Sequence, residues 1–259
     1  MKIITLANQK GGVAKTTTAS ALSTGLTNRG SRVLAVDLDP QSNLSLSSGT
    51  DLLSFSQTIY DVFKGEADVN SAIAKTPLGY DLLPGGLALA AADMEFTQLG
   101  REKMLSKALS KVSGYDYIII DTPPTLGILT ANALMTSNYL IIPMAADIYS
   151  IQGLDNLCGF VGNVHEYGNP ELEISGLLIT KYNGRQNLSK ALIEQIEAAA
   201  EKLDTKVFQT RIRESVAVRE AALLQSDIFK EAPKANATLD YDAFIEEFLG
   251  GINDGKEKS

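Results

Sequence analysis

Residues 10–17 read Lys10-Gly11-Gly12-Val13-Ala14-Lys15-Thr16-Thr17 and follow directly on the apolar run Ile3-Ile4-Thr5-Leu6-Ala7. Small residues between an apolar run and a helical stretch let successive backbone N–H groups turn toward one point, which is the form of a phosphate cradle. Lys15 is placed to reach β and γ oxygens, and the Thr16 hydroxyl to ligate Mg²⁺. Residues Thr17 to Arg29 read as a helix whose N-terminus adds partial positive charge. Gly11, Gly12, Val13, Ala14, Lys15, Thr16 and Thr17, with Lys10 at the mouth, are therefore expected to hold a nucleoside triphosphate with Mg²⁺.

Working outward, short apolar runs alternate with amphipathic stretches, the signature of a parallel sheet covered by helices on both faces. Strands are expected at Ile3 to Ala7, Arg32 to Asp37, Tyr80 to Pro84, Tyr117 to Asp121, Tyr139 to Pro143, Ile174 to Thr180 and Lys206 to Gln209. Most of the connections are long enough for crossover helices. With no repeat, linker or shift in composition, we expect one α/β domain over 1–252, a mostly parallel twisted sheet, and a short polar tail over 253–259.

At 259 residues and 44% hydrophobic content the chain is able to bury a full core. No run of about 18 apolar residues occurs, and the N-terminus enters a strand without a signal sequence, so a cytoplasmic protein is expected. One cysteine, Cys158, excludes an internal disulfide, a C-x-x-C pair and a cysteine-held cluster from a single chain. The net charge of −8 argues against a surface that is basic throughout, though not against a local basic patch. The only histidine, His165, lacks a histidine or cysteine partner and reads as a packing or surface residue.

Two acidic strand ends complete the expected site. Arg32-Val-Leu-Ala-Val-Asp37-Leu-Asp39-Pro-Gln41 carries two carboxylates out of the sheet, where open α/β sheets place their ligands. Asp39 is suited to orient the attacking water and Asp37 to bond waters on Mg²⁺; a polar turn capping the next segment is the alternative for both. Tyr117-Ile-Ile-Ile-Asp121-Thr-Pro-Pro124 is a β-branched strand ending in an aspartate, the form of a Walker B motif. Asp121 is the third metal-side candidate, beside Thr16 and Asp37, with turn capping again the alternative.

The loop departs from G-x-x-x-x-G-K-[ST]. Asn8 stands at the first glycine position, Ala14 at the second, and Lys10 is added. A lysine at the mouth points out of its own cradle and is best used on a nucleotide facing it from a second subunit, which suggests a dimer closed over two ATP molecules. The pattern K-G-G-x-x-K-[ST] resembles the deviant Walker A loop of the ParA/MinD family of ATPases. The D-x-D-P-Q string and the strand ending in Asp121 resemble that family's next two motifs, in the same order. The likeness continues through Leu140-Ile-Ile-Pro-Met144 and Gly176-Leu-Leu-Ile-Thr180, so it spans nearly the whole chain. It implies ATP hydrolysis with Lys10, Lys15 and Asp39 as the catalytic set, Lys10 acting across a homodimer.

Branches of that family separate on residues. Lone Cys158 excludes the nitrogenase iron-protein and cluster-carrier branches. The MinD branch ends in a basic membrane-binding helix, whereas Leu239 to Ile252 pairs an apolar stripe with Asp240, Asp242, Glu246 and Glu247, so core packing and no membrane contact are expected. The ParA branch implies an ATP-bound dimer that binds DNA nonspecifically on the nucleoid and is released by a ParB-like partner. From Lys181 to Glu220 the chain is +2 against −10 elsewhere, and Arg185, Arg211, Arg213 and Arg219 are the DNA-contact candidates. Ordinary solvated charge is the alternative for each. Plasmid or chromosome segregation is the implied task. The alternatives are an ATPase that positions a protein cargo on the nucleoid, and a metabolic or metal-handling enzyme with a small-molecule substrate in the cleft.

Overall fold

The computed structural model describes residues 1–51, 55–145, 147–183, 187–202 and 204–254. In chain order the elements are β1 (Lys2–Leu6), α1 (Lys15–Asn28), β2 (Val33–Asp37), α2 (Asn43–Ser47), α3 (Ile59–Lys64), α4 (Val69–Ala72), β3 (Ala74–Lys75) and β4 (Asp81–Leu83). There follow α5 (Ala92–Glu95), α6 (Met104–Leu109), β5 (Tyr117–Asp121), α7 (Ile128–Thr136), β6 (Tyr139–Ala145), α8 (Ile148–Tyr167) and β7 (Glu173–Thr180). The chain closes with α9 (Asn187–Lys202), α10 (Val216–Leu223), α11 (Ile228–Glu231) and α12 (Asn236–Asp254).

The strands form one sheet in the order β3-β4-β2-β5-β1-β6-β7, with every pair parallel except β3 with β4. Tyr117-Ile-Ile-Ile-Asp121 lies at its centre between β2 and β1, where β-branched side chains fill both faces. Alternate residues of the strand serve different cores: Ile119 joins the cluster under α1 and α12, while Ile118 and Ile120 join the one under α6 and α7. A third cluster packs Leu134, Leu154, Leu157 and Ile196 from α7, α8 and α9 against β6 and β7. This is the expected mostly parallel sheet with helices on both faces.

The C-terminal helix α12 lays Tyr241, Phe244, Ile245, Phe248 and Ile252 into the core, each fully or nearly fully buried. Burial of a side chain of this size contributes on the order of 2–3 kcal/mol. Gly25 of α1 makes the approach possible, because a Cβ there would meet Ile245 Cδ1 at 2.2 Å. Among the described residues no helix is long and apolar enough to cross a membrane.

Three expectations change. Lys206 to Gln209 is no strand: only an isolated bridge joins Val207 to Leu177. The N–H groups of Gln209 and Thr210 donate to the Glu247 carboxylate of α12 at 2.7 and 2.9 Å, so the donors that would extend a ladder are taken. Conversely, the two residues of β3 add an antiparallel edge through the Thr76-Pro77-Leu78-Gly79 turn, a hairpin too short to leave a period in the sequence. Helix α12 extends to Asp254, into the expected tail, and 255–259 lie outside the described residues.

Candidate functional site

The C-terminal ends of β1, β2 and β5 converge on the N-terminus of α1. Ala14 takes the left-handed conformation (φ 62°, ψ 32°) at the N-cap of α1 and offers no side-chain acceptor, so the first-turn amides are left to an anion. The loop is braced from outside. Asn8 donates to the Pro143 carbonyl at 2.8 Å and accepts from Lys10 N–H at 2.9 Å, and the Thr180 hydroxyl donates to the Val13 carbonyl at 3.1 Å. Asn8 thus does by side chain what a loop glycine does by freedom: it fixes the turn against β6.

The two lysines differ in setting. Lys15 is 7% exposed, and its ammonium donates to the Lys10 carbonyl at 3.3 Å. Burial lowers its proton affinity, and the charges of Asp121 and Asp39 act in the opposite direction. Lys10 lies outside the loop, where its ammonium pairs with the Asp147 carboxylate at 2.5 Å and approaches Ser150 Oγ at 3.4 Å. Asp147 also caps α8 by accepting from Ser150 N–H at 2.9 Å. Sequence reading missed Asp147; the Asp-x-x-Ser spacing after a strand was its signal.

Asp37 and Asp121 are register partners on adjacent strands, both fully buried. Asp37 Oδ2 accepts from Ser45 N–H and Oγ–H, and Oδ1 accepts from Asp39 N–H. Burial raises its proton affinity, opposed by these bonds, to a pKa of about 6. Asp121 is different: neither oxygen has a hydrogen bond of ordinary geometry. Burial and then the Asp37 charge push its pKa well above the usual carboxylate range, and the neighbouring Thr16 hydroxyl and Lys15 ammonium pull it down by less.

An unpartnered buried carboxylate beside a phosphate loop fits a cation that arrives from outside the chain. Among the described residues no group of three or more His, Cys, Asp or Glu forms a cage of its own. Mg²⁺ keeps waters and binds through one or two carboxylates plus phosphate oxygens. Thr16, Asp37 and Asp121 are the residues present to hold it.

A cavity of about 820 Å³ opens over the loop. Lys15, Thr16, Asp39 and Pro124 line its phosphate end, and Thr180, Lys181, Arg213 and Val218 its far end. The expected arginines fare unequally. Arg185 lies outside the described residues. Arg213 is held by Asp240, with Nε to Oδ2 at 2.9 Å and Nη2 to Oδ1 at 2.6 Å. Arg211 lies over the Tyr182 ring at 5.3 Å and 3.7 Å from Glu197. Arg219 is 67% exposed, with Glu214 at 4.0 Å. His165 Nε2–H donates to the Leu172 carbonyl at 2.8 Å, a packing role.

The AAA domain family profile matches residues 1–174. The sporulation initiation inhibitor protein Soj of Bacillus subtilis is 40% identical over 85% of this chain and 87% of its own. Among solved structures, a Mycobacterium smegmatis cobyrinic acid a,c-diamide synthase with bound ATP analogue and magnesium is 32% identical, with a TM-score of 0.85 over 98% of this chain and 97% of that one. A putative plasmid partition protein of Borrelia burgdorferi bound to AMPPNP is 28% identical, with a TM-score of 0.79 over 98% and 99%.

Proposed function

The chain belongs to the ParA/Soj family of P-loop ATPases, and from that premise we propose that it is a partition ATPase whose ATP-bound homodimer binds DNA nonspecifically. In this reading it hydrolyses ATP to ADP and phosphate when a ParB-like partner stimulates it. The observation that carries the reading is the split placement of the two lysines: Lys15 inside the cradle, and Lys10 outside it on a breakable ion pair with Asp147.

Lys15 and the amides of residues 11–17 bind the phosphates, and Lys10 turns to the nucleotide of the facing subunit. Asp39, at the phosphate end of the cavity, orients the attacking water and accepts its proton. Magnesium, when bound, neutralises charge on the β and γ oxygens. Thr16, Asp121 and Asp37, whose Oδ1 accepts one donor from the chain, would hold the ion. Arg219, with Arg185 and Arg211, supplies counterion-releasing contacts to phosphodiester backbone.

A second reading, a small-molecule enzyme, draws on the cavity's reach beyond the phosphate loop to α10 and on the similarity to the mycobacterial synthase. Binding to nonspecific duplex DNA with ATP, ADP or no nucleotide, at low and moderate salt and alongside light scattering, separates the two. Salt-sensitive binding that appears only with ATP and tracks dimer formation is the expected result. Dimerisation with ATP but no affinity for DNA would overturn the partition reading.

A further inference from the structure

The loop from β2 to α2 carries Asp39, and it is tied down by a side chain that no motif marks. Ser45 Oγ donates to Asp37 Oδ2 at 2.7 Å and accepts from Gly85 N–H, just past the end of β4, at 3.1 Å. Ser45 N–H adds a second bond to the same carboxylate oxygen at 2.9 Å, while Asp39 N–H takes Oδ1 at 3.1 Å. One hydroxyl thus uses its proton on β2 and a lone pair on the β4 end, and Asp37 joins both ends of the loop. Asp39 Oδ1 accepts from Gln41 N–H at 2.9 Å, and Leu38 N–H donates to the Asp121 carbonyl at 3.0 Å. Ser45 is fully buried and stands behind the cavity wall that Asp39 forms.

Space enforces the same arrangement. A Cβ at Gly85 would lie 2.9 Å from the Asp37 carbonyl oxygen, 3.1 Å from its carboxyl carbon and 3.2 Å from the Asp39 carbonyl oxygen. The β4 end therefore closes on the loop at a position where a side chain does not fit. A carboxylate that orients water loses rate steeply with small displacement, so whatever fixes this loop sets the hydrolytic step more than nucleotide affinity, which rests on residues 10–17.

We propose that Ser45 is a positioning residue for ATP hydrolysis, acting through Asp37 and the Gly85 backbone to hold Asp39 where water is activated. The proposal rests on the ATPase reading above. It requires nucleotide affinity and turnover to separate in Ser45 variants.

The test measures kcat, ATP affinity and Tm for the full chain and for Ser45→Ala, Ser45→Thr, Gly85→Ala and the Ser45→Ala/Gly85→Ala double variant. Ser45→Ala is expected to lower kcat at least tenfold with ATP affinity within threefold, and Ser45→Thr to restore most of the rate. Gly85→Ala, which crowds the same clamp from the other side, is expected to lower kcat similarly. The double variant should be no slower than the slower single one. A Ser45→Ala protein with lowered Tm but unchanged kcat would overturn the proposal, because the clamp would then serve the fold alone. Equal losses of kcat and ATP affinity in both Ser45→Ala and Gly85→Ala would overturn it too. Absence of hydrolysis by the unaltered chain under any stimulation would instead remove the ATPase reading on which the proposal stands.

Discussion

The Lys10 ammonium and the Asp147 carboxylate lie 2.5 Å apart, a contact that ties the mouth of the phosphate loop to the start of α8. Their side chains are 30% and 36% exposed, so solvent screens the pair and it is worth about 0.2–1 kcal/mol. Burial alone would raise the Asp147 pKa, but the bonds from Lys10 and Ser150 outweigh it and hold the group below its ordinary value. Lys10 has to leave this partner to reach a facing nucleotide. Asp147→Asn keeps the cap on α8 and removes the charge, and two such pairs break per dimer, so ATP-dependent dimerisation should occur at a protein concentration up to about thirtyfold lower. Sedimentation or light scattering across a dilution series checks it; an unchanged or higher midpoint would show that the pair does not restrain Lys10.

Lys15 and Asp39 should separate binding from turnover. Lys15→Ala removes the one buried ammonium of the cradle, and charge-assisted bonds of roughly 1.5–3 kcal/mol each imply an ATP affinity loss on the order of 100-fold. Asp39→Ala leaves the cradle intact, so ATP binding and dimer formation should persist while hydrolysis falls on the order of 100-fold or more. Calorimetric ATP titration beside phosphate release distinguishes the two. Near-normal affinity in Lys15→Ala would remove that lysine from the site, and normal turnover in Asp39→Ala would remove Asp39 from water activation.

The buried pair Asp37 and Asp121 gives the nucleotide-free chain a pH dependence of definite sign. Both folded-state pKa values are raised, so the native state keeps protons that the unfolded chain releases, and stability is lost as pH rises from the ordinary carboxylate range through the folded pKa. For Asp37 the step from 3.8 to about 6 corresponds to about 3 kcal/mol. A cation beside the pair offsets that cost, so the gain in Tm on adding Mg²⁺ and a non-hydrolysable ATP analogue should grow between pH 5 and 7.5. Asp121→Asn should flatten the trend. A gain that is constant with pH in the unaltered protein would mean the pair does not sense the ion.

What was legible in the sequence follows from how local each signal is. The phosphate loop, α1 and the central strand were readable because each combines a short-range pattern with one chemistry, and Lys15 at the start of α1 meets Asp39 and Asp121, which follow or end strands, in space. Val207 misled because an apolar pair beside polar residues carries no information about Glu247, which lies some forty positions on and takes the amides of Gln209 and Thr210. Ser45 was missed because it matters through contacts to Asp37 and, across the fold, to Gly85, and the local cap signal of Asp147 says nothing of its pairing with Lys10. Arg213 read as a DNA-contact candidate, with solvated charge the alternative, because nothing near it in sequence shows Asp240 on α12, which holds it at the cavity's edge.

Ala14 supplies a prediction about strain. A non-glycine residue in the left-handed region costs about 1–2 kcal/mol, and Ala14 sits there at φ 62° in the turn that points amides at the phosphates. Ala14→Gly relieves that cost but adds unfolded-state entropy of about 0.5–1 kcal/mol, leaving a net stabilisation of up to about 1 kcal/mol. Ala14→Val, with a branched Cβ in the same conformation, should destabilise the chain by more than 1 kcal/mol and weaken ATP binding. Urea unfolding of the three proteins orders them, and Val equal to or more stable than Ala would mean that the loop relaxes out of this geometry.

Arg219 and Arg213 should part company in DNA binding. Arg219 projects from α10, two-thirds exposed and only 4.0 Å from its nearest carboxylate, so it is able to meet a phosphate at little cost. Arg213 would first have to give up two close contacts with Asp240, which itself is largely buried. With ATP present, Arg219→Ala should therefore weaken binding to nonspecific duplex and reduce the steepness of log K against log salt by about one phosphate contact. Arg213→Ala should leave that slope nearly unchanged while lowering Tm, because Asp240 is left without its partner. Fluorescence anisotropy over a salt series, with ATP affinity measured on both variants, decides the matter. If the slope falls for Arg213→Ala and not for Arg219→Ala, Arg213 is the one that meets the DNA backbone, and its ion pair with Asp240 opens to allow it.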